Sequence, residues 1–190
     1  MPKINPVTLE SADPKQKKIL EGLKAKMGKV PNIYATVAHS PAALTALLEH
    51  GNNLKQGVLS AKEIEAIALA VGQANGCDYC VAAHTVLGKM AGLTDAETLE
   101  CRKGQVPDPK LNVLVRLAIE IVQTGGSPSA KVLADFRSAG YADAALVEVI
   151  AWVAHNIFTN YFNHIAETVS DFPKAPALST GDGSCGCCSR

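Results

Sequence analysis

The 190-residue chain carries 18 basic and 18 acidic side chains, and 47% of its residues are hydrophobic against 19% charged. That balance describes one globular unit with a substantial core and excludes a disordered chain. It offers no basic face for nucleic acid or for an anionic membrane, and no apolar run reaches the length of a membrane span. Met1-Pro2-Lys3-Ile4-Asn5-Pro6 holds no signal-peptide core, so a cytoplasmic location is expected. Thiols stay reduced there, and paired cysteines tend to be catalytic or metal-binding.

The pattern predicts helices and almost no strand. Residues 1–8 read as an extended arm, and Asp13-Pro14 opens a helix to about Met27. Lys15, Lys17, Lys18, Lys24 and Lys26 form its solvated face. After a turn at Gly28-Lys29-Val30-Pro31, a short helix covers Asn32–Ala38, and Ser40-Pro41 caps the next, from Ala42 to about Gln56. Ser60 and Glu63 form a capping box. The run Ile64, Ile67, Ala68, Leu69, Val71 follows at near-helical period and stops at Asn75-Gly76. A further helix begins at once and ends near Gly92. Thr94 and Glu97 box a short helix to Lys103, Asp108-Pro109 starts one through Gln123, and Ser127-Pro128 starts another to Ala139. The last long helix runs from about Ala142 to Val169. The Ala-rich stretches Ile64–Ala74 and Ala144–Ala154 permit close helix contact and favour a symmetric homo-oligomer.

The chemistry concentrates in Cys77-Asp78-Tyr79-Cys80-Val81-Ala82-Ala83-His84. Residues three and four apart on a helix share a face, so Cys77 and Cys80 can close a disulfide and His84 can reach Cys80. A thiolate is the reactive form of cysteine, and a nearby base or positive charge creates it. Glu65, in the first turn of the preceding helix, is placed to face His84 and hold its tautomer. The helix N-terminus favours Cys77 as the attacking thiol, whereas the His84 spacing favours Cys80.

Glu65, eleven residues, then Cys77-x-x-Cys80-x-x-x-His84 resembles the alkyl hydroperoxidase D (AhpD-like) family, part of the wider carboxymuconolactone decarboxylase-like superfamily. Val30-Pro31-Asn32-Ile33-Tyr34, His39-Ser40-Pro41 and Asn156-Ile157-Phe158-Thr159-Asn160 look like flanking features of its peroxidase-related members, so the resemblance covers residues 28–172. It implies an all-α AhpD-like fold, a homo-oligomer, and reduction of peroxides or disulfides with no cofactor for the chemical step. In the family a Glu, a His and a bound water relay a proton from the second cysteine. Carried over, Glu65 and His84 activate Cys80, which attacks peroxide and becomes a sulfenic acid, and Cys77 condenses with it. A partner thiol system would recycle the disulfide. Tyr79 departs from the pattern: it stands where the best-known members have a histidine, and it is no base near neutral pH. Asp78 adds a negative charge that disfavours a thiolate. Modest peroxidase turnover, or an acceptor other than peroxide, is the expectation.

Other assignments compete. Cys77, Cys80 and His84 make three of the four ligands of a structural zinc site, but no second Cys or His pair completes it in the body of the chain. A carboxymuconolactone decarboxylase-like lyase or isomerase would not need two thiols. On the last helix, His155 and His164 point in different directions; each can line the thiol pocket or simply pack. Asn156 and Asn160, four apart, suit a ligand or a neighbouring helix end. The organisation is an N-terminal arm and helix (1–27), the helical domain with the dithiol (28–172), and a flexible Cys-rich tail (173–190). Cys185, Cys187 and Cys188 in that tail suit capture of a soft metal or metalloid, or exchange with the Cys77–Cys80 disulfide.

Overall fold

The computed structural model describes residues 1–178, and these contain helices and no strand. The order is α1 (Pro14–Met27), α2 (Asn32–Val37), α3 (Pro41–Leu54), α4 (Ala61–Ala74), α5 (Asp78–Met90), α6 (Asp95–Lys103), α7 (Pro109–Gln123), α8 (Ala130–Ser138) and α9 (Asp143–Ala166). Asp13, Ser60 and Thr94 form reciprocal capping boxes with Gln16, Glu63 and Glu97, so three helix starts lie where the sequence signals them.

Three boundaries depart from expectation for a visible reason. Helix α3 stops at Leu54, because Glu148 on α9 accepts hydrogen bonds from the Val58 and Leu59 amides and pins the connection there. Helix α8 is capped by Ser129, not Ser127, since Glu120 holds both the amide and the hydroxyl of Ser129. Helix α9 ends at Ala166, short of Val169. Glu167 takes a left-handed conformation (φ 50°), and Lys3 and Ile4 of the N-terminal arm donate to the Ala166 carbonyl.

Helix α4 is the hub, packing against α5, α6, α7 and α9. Its Ile67, Leu69 and Val71 meet Leu114, Val115 and Leu117 of α7 and Val149 and Val153 of α9 in the larger core. A second core gathers Leu20 and Leu23 of α1, Ile33 and Val37 of α2 and Leu44 of α3 around Cys77, Tyr79, Cys80 and Ala83. The dithiol is therefore built into an apolar core, not hung on the surface. Gly88 of α5 and Gly72 of α4 lie at the contact between these two helices. A Cβ on Gly88 would lie 2.8 Å from Leu93 Cδ1 and 3.7 Å from Glu65 Cβ, and one on Gly72 would lie 3.5 Å from Cys80 Cβ. That contact sets the reach from Glu65 on α4 to His84 on α5. None of the described helices is long and apolar enough to cross a membrane.

Candidate active site

The four residues singled out in the sequence come together. Cys77 is the N-cap of α5, and its sulfur accepts the Cys80 amide at 3.3 Å. Capping fixes the Cys77 side chain over the first turn and directs it toward Cys80. His84 lies one turn beyond Cys80 and donates through Nδ1 to Glu65 Oε2 at 2.7 Å. This pair is only partly exposed (22% and 14%), so water screens it weakly. Its other ring nitrogen remains for the thiol side. Cys77, Cys80 and Cys101 are all free thiols.

The two neighbouring thiols are pushed in opposite directions. Cys80 is lowered, first because the Cys77 side chain hydrogen-bonds to it, then, against the cost of burial, through the charge of His84 and the Asn163 amide. Cys77 is raised by that same hydrogen bond and by burial. His84 is raised: burial opposes its charge, but the Glu65 carboxylate outweighs burial, and Cys80 adds to it. Both directions work toward an imidazolium beside a thiolate. Asp78 is exposed, and its charge acts on Arg102. Cys101, by contrast, is an inert core thiol, pushed up to about 12 by burial.

Cys80 and His84 line one cavity of about 90 Å³, walled by Met27, Ile33, Tyr34, Leu87 and Phe172, with Asn163 and His155 as polar members. A second cavity of about 100 Å³ lies on the Glu65 side of His84 and also touches Lys55 and His155. The two histidines of α9 part ways. His155 lines both cavities and bonds His50 at 3.2 Å between their Nδ1 atoms, while His164 sits exposed against the Gly76 carbonyl. Burial, then His50, His84 and Lys55, pull His155 down to about 4, the opposite direction to His84. Asn160 accepts from Asn75 at the end of α4, the helix-end role expected of it, and Asn156 bonds only its own helix at the Trp152 carbonyl.

Sequence reasoning missed Asn163, Phe172 and Asp171. Asn163 Nδ2 lies 3.2 Å from Cys80 Sγ and 3.9 Å from Cys77 Sγ. Its signal was present: Asn156, Asn160 and Asn163 form a polar stripe at i, i+4, i+7 along the helix. Asp171 and Phe172 carried none, because they follow α9 in a segment of loop composition. That segment folds back over the cavity. Tyr79 donates to Asp171 at 2.7 Å and accepts the buried Ile33 amide at 3.3 Å, and Lys29 pairs with Asp171 at 2.9 Å. Tyr79, the departure from the family pattern, is therefore a latch. Tyr79→Phe should cost about 2 kcal/mol, since it strands a buried amide and removes a bond to a carboxylate. Urea unfolding measures this, and faster proteolysis after residue 166 should accompany it.

Among the described residues, no group of three His, Cys, Asp or Glu side chains is arranged to hold a metal ion. Cys185, Cys187 and Cys188, the metal candidates, lie outside the described residues.

The sequence model of the carboxymuconolactone decarboxylase family matches residues 41–118, the stretch that holds Glu65, Cys77, Cys80 and His84. No curated protein matches the chain. Among solved structures, the AhpD core of an uncharacterised peroxidase-related protein from Ralstonia eutropha aligns with a TM-score of 0.80 at 21% identity, over 90% of this chain and 92% of that one. A peroxidase-related protein from Silicibacter sp. gives 0.75 at 21% identity, over 88% and 92%. The debrominase Bmp8, in complex with 2,3,4-tribromopyrrole, gives 0.74 at 16% identity, over 87% and 90%. At these identities the likeness speaks for the fold. Together with the family match, it makes the chain similar in fold and motif to AhpD-like proteins of the carboxymuconolactone decarboxylase superfamily.

Proposed function

We propose that this protein is a thiol-dependent oxidoreductase that reduces small hydroperoxides through Cys77 and Cys80. The observation that carries the proposal is the geometry: Cys77 caps α5 against the Cys80 amide, and His84, one turn on, is held by Glu65 at 2.7 Å. Cys80, as thiolate, attacks the terminal oxygen of ROOH. The O–O bond breaks, Cys80 becomes a sulfenic acid, and the leaving alkoxide takes a proton from the His84 imidazolium. Cys77 then attacks the sulfenic sulfur. The disulfide forms, and the departing hydroxide leaves as water with the Cys77 proton. Two electrons from an external dithiol restore both thiols.

Burial supports a small substrate. Cys77 is 1% and Cys80 3% exposed, and the cavity beside them has apolar and aromatic walls, which disfavours a folded protein's disulfide. The Bmp8 likeness brings one rival reading, thiol-driven removal of halogen from a small aromatic ring. The test is to follow an alkyl hydroperoxide and a brominated pyrrole in parallel, each with the full chain and a small dithiol. Hydroperoxide consumption supports the proposal. Consumption of the pyrrole alone would reassign the site to dehalogenation, and consumption of neither would overturn the small-substrate reading.

A homo-oligomer belongs to the same proposal. Val147, Ile150, Phe158, Tyr161 and Ile165 of α9 are all exposed and follow a helical seam. A second copy would cover that seam. Ile165→Glu should shift the species seen by light scattering toward monomer, and an unchanged mass would place the interface elsewhere.

A further inference from the structure

Asn163 is only 5% exposed, and among the described residues its side chain makes hydrogen bonds to nothing but the two sulfurs of the dithiol. Its Oδ1 is buried with no partner. A buried carbonyl left unpaired costs stability, so this amide is poorly explained as a packing device. Its N–H group, in contrast, is well used. Hydrogen bonds to an ionised acceptor are stronger than those to a neutral one, so a donor 3.2 Å from Cys80 Sγ favours the thiolate over the thiol. An amide does not titrate, so the effect persists at any pH. Tyr79, beside Cys80 in sequence, contributes nothing of the kind because its hydroxyl is committed to Asp171.

We propose that Asn163 is a catalytic residue of the dithiol, its amide N–H holding Cys80 as a thiolate and lying between both sulfurs. The inference rests on the dithiol being the active site, though not on peroxide being the substrate. It also gives the residue a part in the redox balance. The Cys77–Cys80 disulfide offers no anion to the amide, so Asn163 favours the reduced dithiol over the disulfide.

The groups that bear on Cys80 set the conditions of the test. Cys77 faces it from the N-cap, Tyr79 and His84 from α5, Tyr34 from α2, and His155 and the Asn160 amide from α9. Glu65 on α4 acts through His84, and Asp171 acts through Tyr79. The experiment is alkylation of Cys80 in the full chain across pH, read by peptide mass spectrometry so that the other cysteines do not interfere. Asn163→Leu and the smaller Asn163→Ser should each raise the Cys80 midpoint by about one pH unit, which is roughly a tenfold loss of thiolate well below the midpoint. The reduction potential should fall by about 30 mV at a pH above both midpoints, where the reduced form carries the thiolate in wild type and variant alike. Asn163→Leu should melt no lower than wild type, since it removes the stranded carbonyl. Asn156→Leu, which alters the same cavity without touching sulfur, should leave the midpoint where it is.

A midpoint unmoved in both Asn163 variants, or moved equally by Asn156→Leu, overturns the assignment. A raised midpoint in a protein that consumes no hydroperoxide would sustain Asn163 as a thiolate donor while removing the peroxide proposal.

Discussion

Cys80→Ser is expected to lower hydroperoxide turnover by on the order of a thousandfold or more, the scale of loss when a covalent nucleophile is removed. Cys77→Ser should behave differently. It keeps the attacking sulfur, so one equivalent of peroxide is still consumed in a burst, and the sulfenic acid then accumulates for want of a resolving thiol. Fold loss does not confuse the comparison. Cys77 caps α5 by accepting the Cys80 amide, a task at which serine is at least as good. Stopped-flow peroxide consumption with trapping of sulfenic acid by a cyclic diketone reads both variants. A burst in Cys80→Ser and none in Cys77→Ser would reverse the order of attack, as the helix N-terminus alone would have it. Full turnover in both would remove the dithiol from the chemistry. The structure favours Cys80 because two influences converge there. Cys77 hydrogen-bonds to it, and His84 acts on it as a charge. The N-terminal dipole that favours Cys77 is opposed by burial and by the neighbouring sulfur.

Much of this site was legible in the sequence because it is local. Cys77, Cys80 and His84 sit on one face of one helix, and helical spacing alone places them. Glu65 followed from the tight turn at Gly76, which makes α4 and α5 neighbours. The capping boxes at Ser60 and Thr94 gave two helix starts for the same reason. What was missed depends on contacts far apart in the chain. Asn163 reaches Cys80 across 83 residues, and Asp171 reaches Tyr79 across 92. No periodicity encodes such pairings. Tyr79 illustrates the limit: as a sequence feature it was a missing base, and only the folded chain makes it the anchor of the segment that walls the cavity. His155 and His164 were indistinguishable by composition, and the rotation of α9 relative to α5 separates them. The end of α9 was overrun because the stop is imposed by the N-terminal arm and a left-handed glutamate, where a glycine would have announced it.

Glu65→Gln tests the relay and should depend on pH in a defined direction. Burial alone would push His84 toward the neutral form, and the Glu65 carboxylate reverses this, so its value in the folded protein is raised. Gln can still accept the Nδ1 hydrogen but brings no charge. His84 should then fall back toward neutrality, Cys80 should lose its neighbouring cation, and its alkylation midpoint should rise. Turnover near pH 7 should drop by about a hundredfold, the low end of what general acid–base assistance supplies. Stability supplies an independent sign. A group whose pKa is higher folded than unfolded contributes its full stabilisation below the unfolded value, about 6.5 for histidine, and loses it as pH rises through the folded value. The destabilisation caused by Glu65→Gln, about 1–2 kcal/mol for a partly buried charged pair, should therefore be larger at about pH 6 than at about pH 9. Urea denaturation of both proteins at the two pH values measures the difference. The opposite trend, with the larger loss at high pH, would mean that His84 is neutral in the folded protein and that Cys80 owes its thiolate to the sulfur and amide donors alone. A hundredfold loss of turnover with no pH-dependent loss of stability would leave Glu65 as an orienting acceptor for a neutral ring, and the proton for the leaving alkoxide would then have to come from another donor in the cavity.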